Sequence, residues 1–168
     1  ATVGYELYCE LLEKAVRKLK QLPAKELIDV NIDLPVSVFL PRTYVPDMRL
    51  KIDLYRRLSR FAKQQELDEF AAELVDRFGP RPPEVDRLIG LAELRIWAHG
   101  WGINDIHLED TYAVLVYTNR ALVEKLAARS KGRLRVVDGR SAYLPLGKVL
   151  PPPAEILPAV KSLLRPLE

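Results

Sequence analysis

Two helical patterns joined by a short glycine and proline segment constrain the fold of this chain most strongly. Between residues 66 and 78 the apolar side chains recur at helical spacing and share one face: Leu67, Phe70, Ala71, Leu74 and Phe78. Gly79 tolerates the left-handed conformation that ends many helices, and Pro80 cannot continue a helix. Pro82 and Pro83 suit the first turn of a new helix, where a missing N–H costs little. The segment therefore predicts a sharp joint between two amphipathic helices.

The opposite face of the first of these helices is acidic. Glu69, Glu73 and Asp76 lie at positions i, i+4 and i+7 along one ridge that we expect to project into solvent. Like charges four residues apart repel each other, and Arg77, four residues after Glu73, offsets part of this repulsion. The residues alone leave two interpretations open, namely a solvated face or a docking surface for a basic partner.

Composition excludes several classes of protein. The chain has 168 residues, enough for one domain with a core and an appended element, and its net charge of +3 gives no global basic field. A single cysteine, Cys9, excludes an intramolecular disulfide framework and fits a reducing, cytoplasmic compartment. No segment approaches the ~20 apolar residues that a membrane span needs, and we expect no signal peptide.

The N-terminal half predicts a helix, a strand and a second helix before the joint. The first helix runs from about Gly4 to Lys20, and the following segment is an alternating, half-buried strand from Ile28 to Leu34. The bases near the end of the first helix complement the helix dipole: Lys14, Arg17, Lys18, Lys20 and Lys25. Asp47 is the predicted N-cap of the next helix, which extends from Met48 to Lys63. This helix is basic where its successor is acidic, so we expect ion pairs between them that mainly set orientation.

The C-terminal half predicts a helix followed by a mixture of strands and short helices. The helix spans about Pro83 to His99 and ends at Gly100, with an apolar stripe of Val85, Leu88, Ile89, Ala92 and Ile96. We expect Trp97 and Trp101 to have core or hinge packing roles rather than to form a ligand platform. The predicted strands cover residues 103–108, 112–117, 134–137 and 142–146. The predicted helices cover residues 120–130 and 154–164, and Pro158 lies in or near the first turn of the second helix. The expected fold class is α+β, with helices packed against a small antiparallel sheet and an appended N-terminal helix.

Motifs for catalysis or metal binding are missing from the sequence. It contains no glycine-rich phosphate loop with a lysine, no Gly-x-Ser-x-Gly elbow and no His-Glu-x-x-His pair. His99 and His107 fall in different predicted elements, and Cys9 is distant from both. We therefore predict no metal, no cofactor and no enzymatic activity for this chain by itself.

Several motifs together resemble the C-terminal region of the bacterial transcription-repair coupling factor family. They include Asp33-Leu34-Pro35-Val36, and the most specific is the combination of Tyr44-Val45-Pro46-Asp47 with Leu74-Val75-Asp76-Arg77-Phe78-Gly79 at this spacing. The similarity covers nearly the whole chain. The resemblance implies a fragment of an ATP-driven DNA translocase that removes stalled RNA polymerase and recruits the excision-repair damage-recognition ATPase. Residues 1–27 would then be the last helix and linker of the motor lobe, and residues 28–168 the C-terminal regulatory domain.

The resemblance also implies a partner and a docking site. In this family the domain folds back onto the N-terminal repair-factor-binding domain of the same protein and masks it. The acidic ridge and its arginine, that is Glu69, Glu73, Asp76 and Arg77, would face that basic partner. Two alternatives remain open: a non-specific nucleic-acid-binding module that uses Lys14 to Lys25 and Arg49 to Lys63, or a purely structural cap on the motor lobe.

Overall fold

The computed structural model describes residues 8, 9, 11–15 and 28–166. Tyr8, Cys9 and residues 11–15 are helical, in agreement with the first predicted helix. The rest of that helix and four of its five terminal bases (Arg17, Lys18, Lys20 and Lys25) lie outside the described residues. The expected domain boundary between residues 27 and 28 lies where the described residues resume, and it stays a prediction.

The described residues divide into two compact units, and the chain passes from one to the other more than once. The first unit contains residues up to Ile28 together with residues 37–93, and the second contains residues 29–36 and those from Leu94 onward. The helices are α1 (Met48–Arg60), α2 (Gln64–Phe78), α3 (Pro83–Gly100), α4 (Arg120–Arg129) and α5 (Pro153–Leu164). The strands are β1 (Asn31–Asp33), β2 (Ile103–Glu109), β3 (Tyr112–Tyr117), β4 (Arg135–Val136) and β5 (Ser141–Pro145).

In the first unit, α1 and α2 form at the predicted places. The Asp47 carboxylate accepts a hydrogen bond of 3.1 Å from the backbone N–H of Leu50, which confirms the predicted N-cap. Helix α1 ends at Arg60 rather than at the predicted Lys63, because Phe61 adopts an extended conformation. This turn brings the Phe61 ring edge-on to the Phe70 ring, with 5.3 Å between their centroids. The aromatic contact fixes α2 against α1.

The second unit contains the five-stranded sheet, in the order β1-β2-β3-β5-β4. A two-residue turn at Asp110 and Thr111 joins β2 to β3, and Asp110 adopts the positive φ of 52° that this turn requires. All pairs are antiparallel except that of β1 with β2, which is parallel. The α+β fold class is therefore confirmed, and the sheet is mixed rather than wholly antiparallel. The predicted alternation also holds, since Ile28, Val30, Ile32 and Leu34 are buried and the residues between them exposed.

Three details of the helices differ from prediction. Helix α3 buries Leu91, Leu94 and Ala98 and leaves Ile89 and Ile96 half-buried, so its buried surface is wider than one stripe. The left-handed glycine after α3 is Gly102, with φ of +72°, and not Gly100. Pro158 lies inside α5, beyond its first turn, where its ring removes one helical hydrogen bond.

The two tryptophans have packing roles, as expected. The indole Nε1 of Trp101 donates a 2.8 Å hydrogen bond to the carbonyl oxygen of Leu164 at the end of α5. The guanidinium of Arg129 lies 5.2 Å from the Trp101 ring centroid, and the Lys161 amine lies 5.2 Å from that of Trp97. These contacts tie α3, α4 and α5 together in the second unit.

Candidate protein-binding surface

Helix α2 carries all four residues of the predicted docking site, and both of its ends are fixed. At its start, the Glu66 carboxylate accepts hydrogen bonds from the backbone N–H groups of Ala62, at 3.3 Å, and Lys63, at 3.2 Å. At its end, Gly79 adopts a φ of +87°. The hydroxyl of Tyr44 donates a 2.8 Å hydrogen bond to the carbonyl oxygen of Gly79. Burial raises the pKa of this Tyr44 hydroxyl above its ordinary value.

The apolar face of α2 supplies part of the core of the first unit. Leu67, Phe70 and Leu74 are each no more than 1 % exposed, as the helical spacing predicted. Ala71 and Phe78 at the margins of this face are half-buried. Burial of this face fixes the rotation of α2 about its axis, and therefore decides which side chains face solvent.

Glu73 does not project freely into solvent as the sequence predicted, because it is bound to two arginines. Its two carboxylate oxygens accept hydrogen bonds from Arg57 on α1, at 2.6 and 3.3 Å, and Arg77 donates to it at 3.2 Å. The hydrogen bond from Arg57 is the main reason that the pKa of Glu73 lies below its ordinary value. The two cations compensate the Glu73 charge, so this residue contributes more to the joining of α1 and α2 than to an acidic surface.

Glu69 and Asp76 are the exposed carboxylates of the predicted ridge. The amide of Gln65 donates a 3.0 Å hydrogen bond to Glu69, whose side chain nevertheless faces solvent. Asp76 is exposed, and within the described ranges of the chain it forms no ion pair. Both charges are therefore accessible to a partner. They lie two helical turns apart, about 10 Å along the axis.

Two exposed apolar residues, which the sequence reasoning missed, lie beside these carboxylates on α2. Val75 is 43 % exposed and Ala72 is also exposed, one turn apart on the solvent side of α2. We call Glu69, Ala72, Val75 and Asp76 the α2 surface. The signal for Val75 was present in the sequence, since it falls outside the helical spacing of Leu67, Phe70 and Leu74. Exposed apolar area next to charged groups is a usual composition of a protein–protein contact.

Three basic residues of α1 pair within the first unit. Arg57 binds Glu73, Arg56 binds Asp53, and Arg60 lies 3.3 Å from the carboxylate of Glu13. The first of these contacts confirms the expected pairing between the basic helix α1 and the acidic helix α2. These three arginines are therefore engaged with acids of the same unit and are poorly available to nucleic acid.

The histidines occupy separate places, as expected. His99 is exposed in the last turn of α3, and the His107 ring on β2 lies between Asp105, at 2.5 Å, and Glu109, at 3.5 Å. Among the residues that the structure describes, no group of three or more histidines, cysteines and acids is placed to hold a metal ion. No helix in the same residues is long and apolar enough to cross a membrane.

Sequence comparison extends the resemblance found in the motifs. The TRCF domain family matches residues 34–127, which include α1, α2 and the whole α2 surface. A transcription-repair-coupling factor of Rickettsia prowazekii is 34 % identical over 127 residues, which make up 74 % of this chain and 11 % of the relative. One from Myxococcus xanthus is 33 % identical over 141 residues, 81 % of this chain and 12 % of the relative. The chain thus spans roughly one tenth of the length of these relatives.

Structural comparison supports the same fold. A crystal structure of the C-terminal domain of a transcription-repair coupling factor superposes with a TM-score of 0.64 and 18 % identity, covering 81 % of this chain and 88 % of that chain. At this identity the likeness concerns the fold alone. The family match covers more than half of the sequence, the resemblance read from its motifs is confirmed, and the chain therefore belongs to the TRCF domain family.

Proposed function

We propose that this chain is the regulatory C-terminal domain of a transcription-repair coupling factor. In this proposal its α2 surface docks onto a basic N-terminal repair-factor-binding domain of the same protein and masks it. The observation that carries the proposal is the pair of accessible carboxylates, Glu69 and Asp76, beside the exposed apolar residues Ala72 and Val75. This arrangement lies within the residues that the family match covers.

The parts of the α2 surface have different tasks in this proposal. The carboxylates attract a basic partner and set its orientation, because complementary charges mainly increase association rate and specificity. Val75 and Ala72 supply apolar area that loses water at the centre of the contact. Glu73 and Arg77 form an ion pair at one side of the α2 surface, and Arg57 holds this pair in place from α1. The docking site is thus prepared before the partner arrives.

The regulatory mechanism is a population shift between a docked and an undocked state. Docking and the binding of the repair factor compete for the same basic surface, so each reduces the other. A releasable mask requires a docked state that is favoured by only a few kcal/mol, since a shift from 1:99 to 99:1 requires ~5.5 kcal/mol. We assign the ATP-driven translocation, the removal of RNA polymerase and the recruitment of the repair ATPase to the full-length cytoplasmic protein. The chain itself contributes no catalysis in this proposal.

Calorimetric titration of this chain with the N-terminal domain of its own full-length protein tests the proposal. The test variant combines Glu69→Lys and Asp76→Lys. A matched control combines Asp29→Lys and Asp33→Lys, which make the same change in charge at exposed positions of the second unit. We expect the wild type and the control to bind with similar affinity. The test variant should bind at least tenfold more weakly, because like charges then meet at the contact.

The same variants in the full-length protein connect docking to regulation. Glu69→Lys with Asp76→Lys should increase binding of the repair factor in the absence of any motor trigger. If the folded test variant docks as tightly as the wild type, the α2 surface is only a solvated face and the proposal is wrong. If docking weakens but repair-factor binding stays the same, docking occurs without masking, and the regulatory part of the proposal is wrong.

A further inference from the structure

The positive charge of the chain is concentrated in one segment near the C-terminus. Residues 125–154 contain seven lysines and arginines and a single acid, a net charge of +6, whereas the whole chain carries +3. The remaining residues are therefore net acidic. Such a separation of charge within one chain points to a surface with its own anionic partner.

Four residues around β4 form the centre of this segment, and we call them the basic hairpin. They are Lys131, Arg133, Arg135 and Arg140, and all four are exposed. Arg133 and Arg135 lie on either side of the buried Leu134, which directs both side chains away from the core. Arg140 lies in the turn between β4 and β5. Arg135 lies on β4, whereas Lys131 and Arg133 precede this short strand and Arg140 follows it.

The charges of the basic hairpin are not compensated within the second unit. No ion pair involves these four residues in the part of the chain that the structure describes. The single acid of the segment, Asp138, directs one carboxylate oxygen to the backbone N–H groups of Arg140 and Ser141, each at 2.8 Å. Arg129, by contrast, donates to the carbonyl oxygen of Leu163 and stacks on Trp101, so it belongs to the fold.

The position of β4 makes these charges accessible. Strand β4 is at the end of the sheet and pairs only with β5 among the described strands, so one side of it is open. Arginine forms paired hydrogen bonds with phosphate oxygens and is less strongly hydrated than lysine. An extended row of exposed guanidinium groups suits a linear polymer with regularly spaced negative charges. These properties favour a nucleic-acid backbone over a compact acidic protein surface.

We propose that the basic hairpin binds the phosphate backbone of duplex nucleic acid without sequence specificity. The binding site lies on the second unit, and not on the basic helix α1, where Arg56, Arg57 and Arg60 pair with acids. This inference is independent of docking through the α2 surface. We expect dissociation constants of ~10⁻⁴ to 10⁻⁶ M at physiological salt, the range of non-specific contacts.

The inference can be tested by fluorescence anisotropy. A labelled 20-base-pair DNA duplex is titrated with the 168-residue chain at salt concentrations from 50 to 200 mM. The test variant combines Arg133→Gln, Arg135→Gln and Arg140→Gln. The matched control combines Arg42→Gln, Arg49→Gln and Lys51→Gln, which remove the same charge from the first unit. Each lost phosphate contact reduces the slope of log K against log salt by ~0.9. We expect the test variant to lose about 3 from the slope and tenfold or more in affinity, and the control to retain most of both.

Four outcomes would overturn the inference. One is the absence of DNA binding by the wild type at 50 mM salt, and another is an equal loss of affinity in the control and the test variant. The third is competition with the duplex by a poly-glutamate peptide at equal charge concentration, because the site would then bind acidic proteins as well. Thermal unfolding confirms that the variants are folded. If folded test and wild-type chains bind alike, these arginines only protect the open edge of the sheet from pairing.

Discussion

Arg57 on α1 holds Glu73 on α2 through both oxygens of the carboxylate, with nitrogen–oxygen distances of 2.6 and 3.3 Å. The same guanidinium lies 5.3 Å from the centroid of the Phe70 ring, which is buried in the core. The pair therefore joins the polar side of α2 to its apolar side through a residue of the neighbouring helix. Glu73, which the sequence assigns to a docking surface, has a structural role that can be measured separately from docking.

A double-mutant cycle should detect this role. We expect Arg57→Ala and Glu73→Ala to interact, with a coupling free energy of about 0.5–1 kcal/mol in the free energy of unfolding. The value is small because both side chains are about a third exposed (34 % and 35 %) and water screens the pair. Urea unfolding of the four proteins measures it. Additive effects of the two substitutions would show that the pair contributes nothing to stability.

The pair should also make stability depend on acid pH. Hydrogen bonds from Arg57 hold the pKa of Glu73 below its ordinary value of 4.5, so the folded state releases this proton more readily than the unfolded state. The contribution of the pair is complete above the ordinary pKa and is lost as pH falls through the lower folded-state pKa. We expect the wild type to lose more stability than Glu73→Gln between about pH 6 and pH 3. Identical pH profiles from urea unfolding would contradict this assignment.

Two charge reversals on the same helix should separate structure from surface. Glu73→Lys places a third cation beside Arg57 and Arg77 and should lower the free energy of unfolding by about 1–2 kcal/mol. Asp76→Lys, at an exposed position without an ion pair among the described residues, should change it by less than ~0.5 kcal/mol. Thermal unfolding of both variants shows which substitution destabilises the chain more. Equal losses in the free energy of unfolding would mean that Glu73 contributes no more to the fold than Asp76 does.

Substitution of glycines should follow backbone conformation and local space. Gly102→Ala should destabilise most, because a new Cβ would lie 2.6 Å from the Cβ of Asn119 and φ is +72°. Gly79→Ala meets no neighbouring atom within 4 Å, so its cost comes only from the backbone conformation, φ +87° and ψ −167°, and should be about 1–3 kcal/mol. Gly100→Ala serves as the control, with no neighbour within 4 Å and no positive φ, and should be close to neutral. Denaturant midpoints that do not follow this order would contradict the assignment.

The chain should neither bind nor hydrolyse ATP, because its sequence contains no phosphate-binding loop with a lysine. Equilibrium dialysis with labelled ATP and a phosphate-release assay on rigorously purified protein measure both. The full-length protein, assayed in parallel, is the positive control. ATP hydrolysis that copurifies with the chain through successive columns would place a nucleotide site within these residues.

Local sequence patterns predicted which segments form helices and strands, but they did not predict which strand or residue each of these segments pairs with. The period of residues 28–34 was sufficient to predict a half-buried strand, but it contains no information on which strand Ile32 would pair with. Its parallel partner, Ile106, is distant in the sequence, and such pairing depends on topology rather than on periodicity. Similarly, the helical spacing predicted the buried face of α2 correctly. The sequence also predicted that α1 and α2 would pair through their charges, but its spacing did not indicate that Arg57 would be the partner of Glu73.

The pairing of β1 with β2 also sets an order of events during synthesis. Asn31 on β1 and its hydrogen-bond partner Asp105 on β2 are separated by 74 positions in the chain. A ribosome adds roughly 5–20 residues per second, so β1 waits roughly 4–15 s before its partner strand exists. During this delay the segment that contains α1 and α2 is already complete and free to form local helical contacts. The sheet can close only afterwards, and a stalled chain that ends before β2 leaves this apolar strand without its partner.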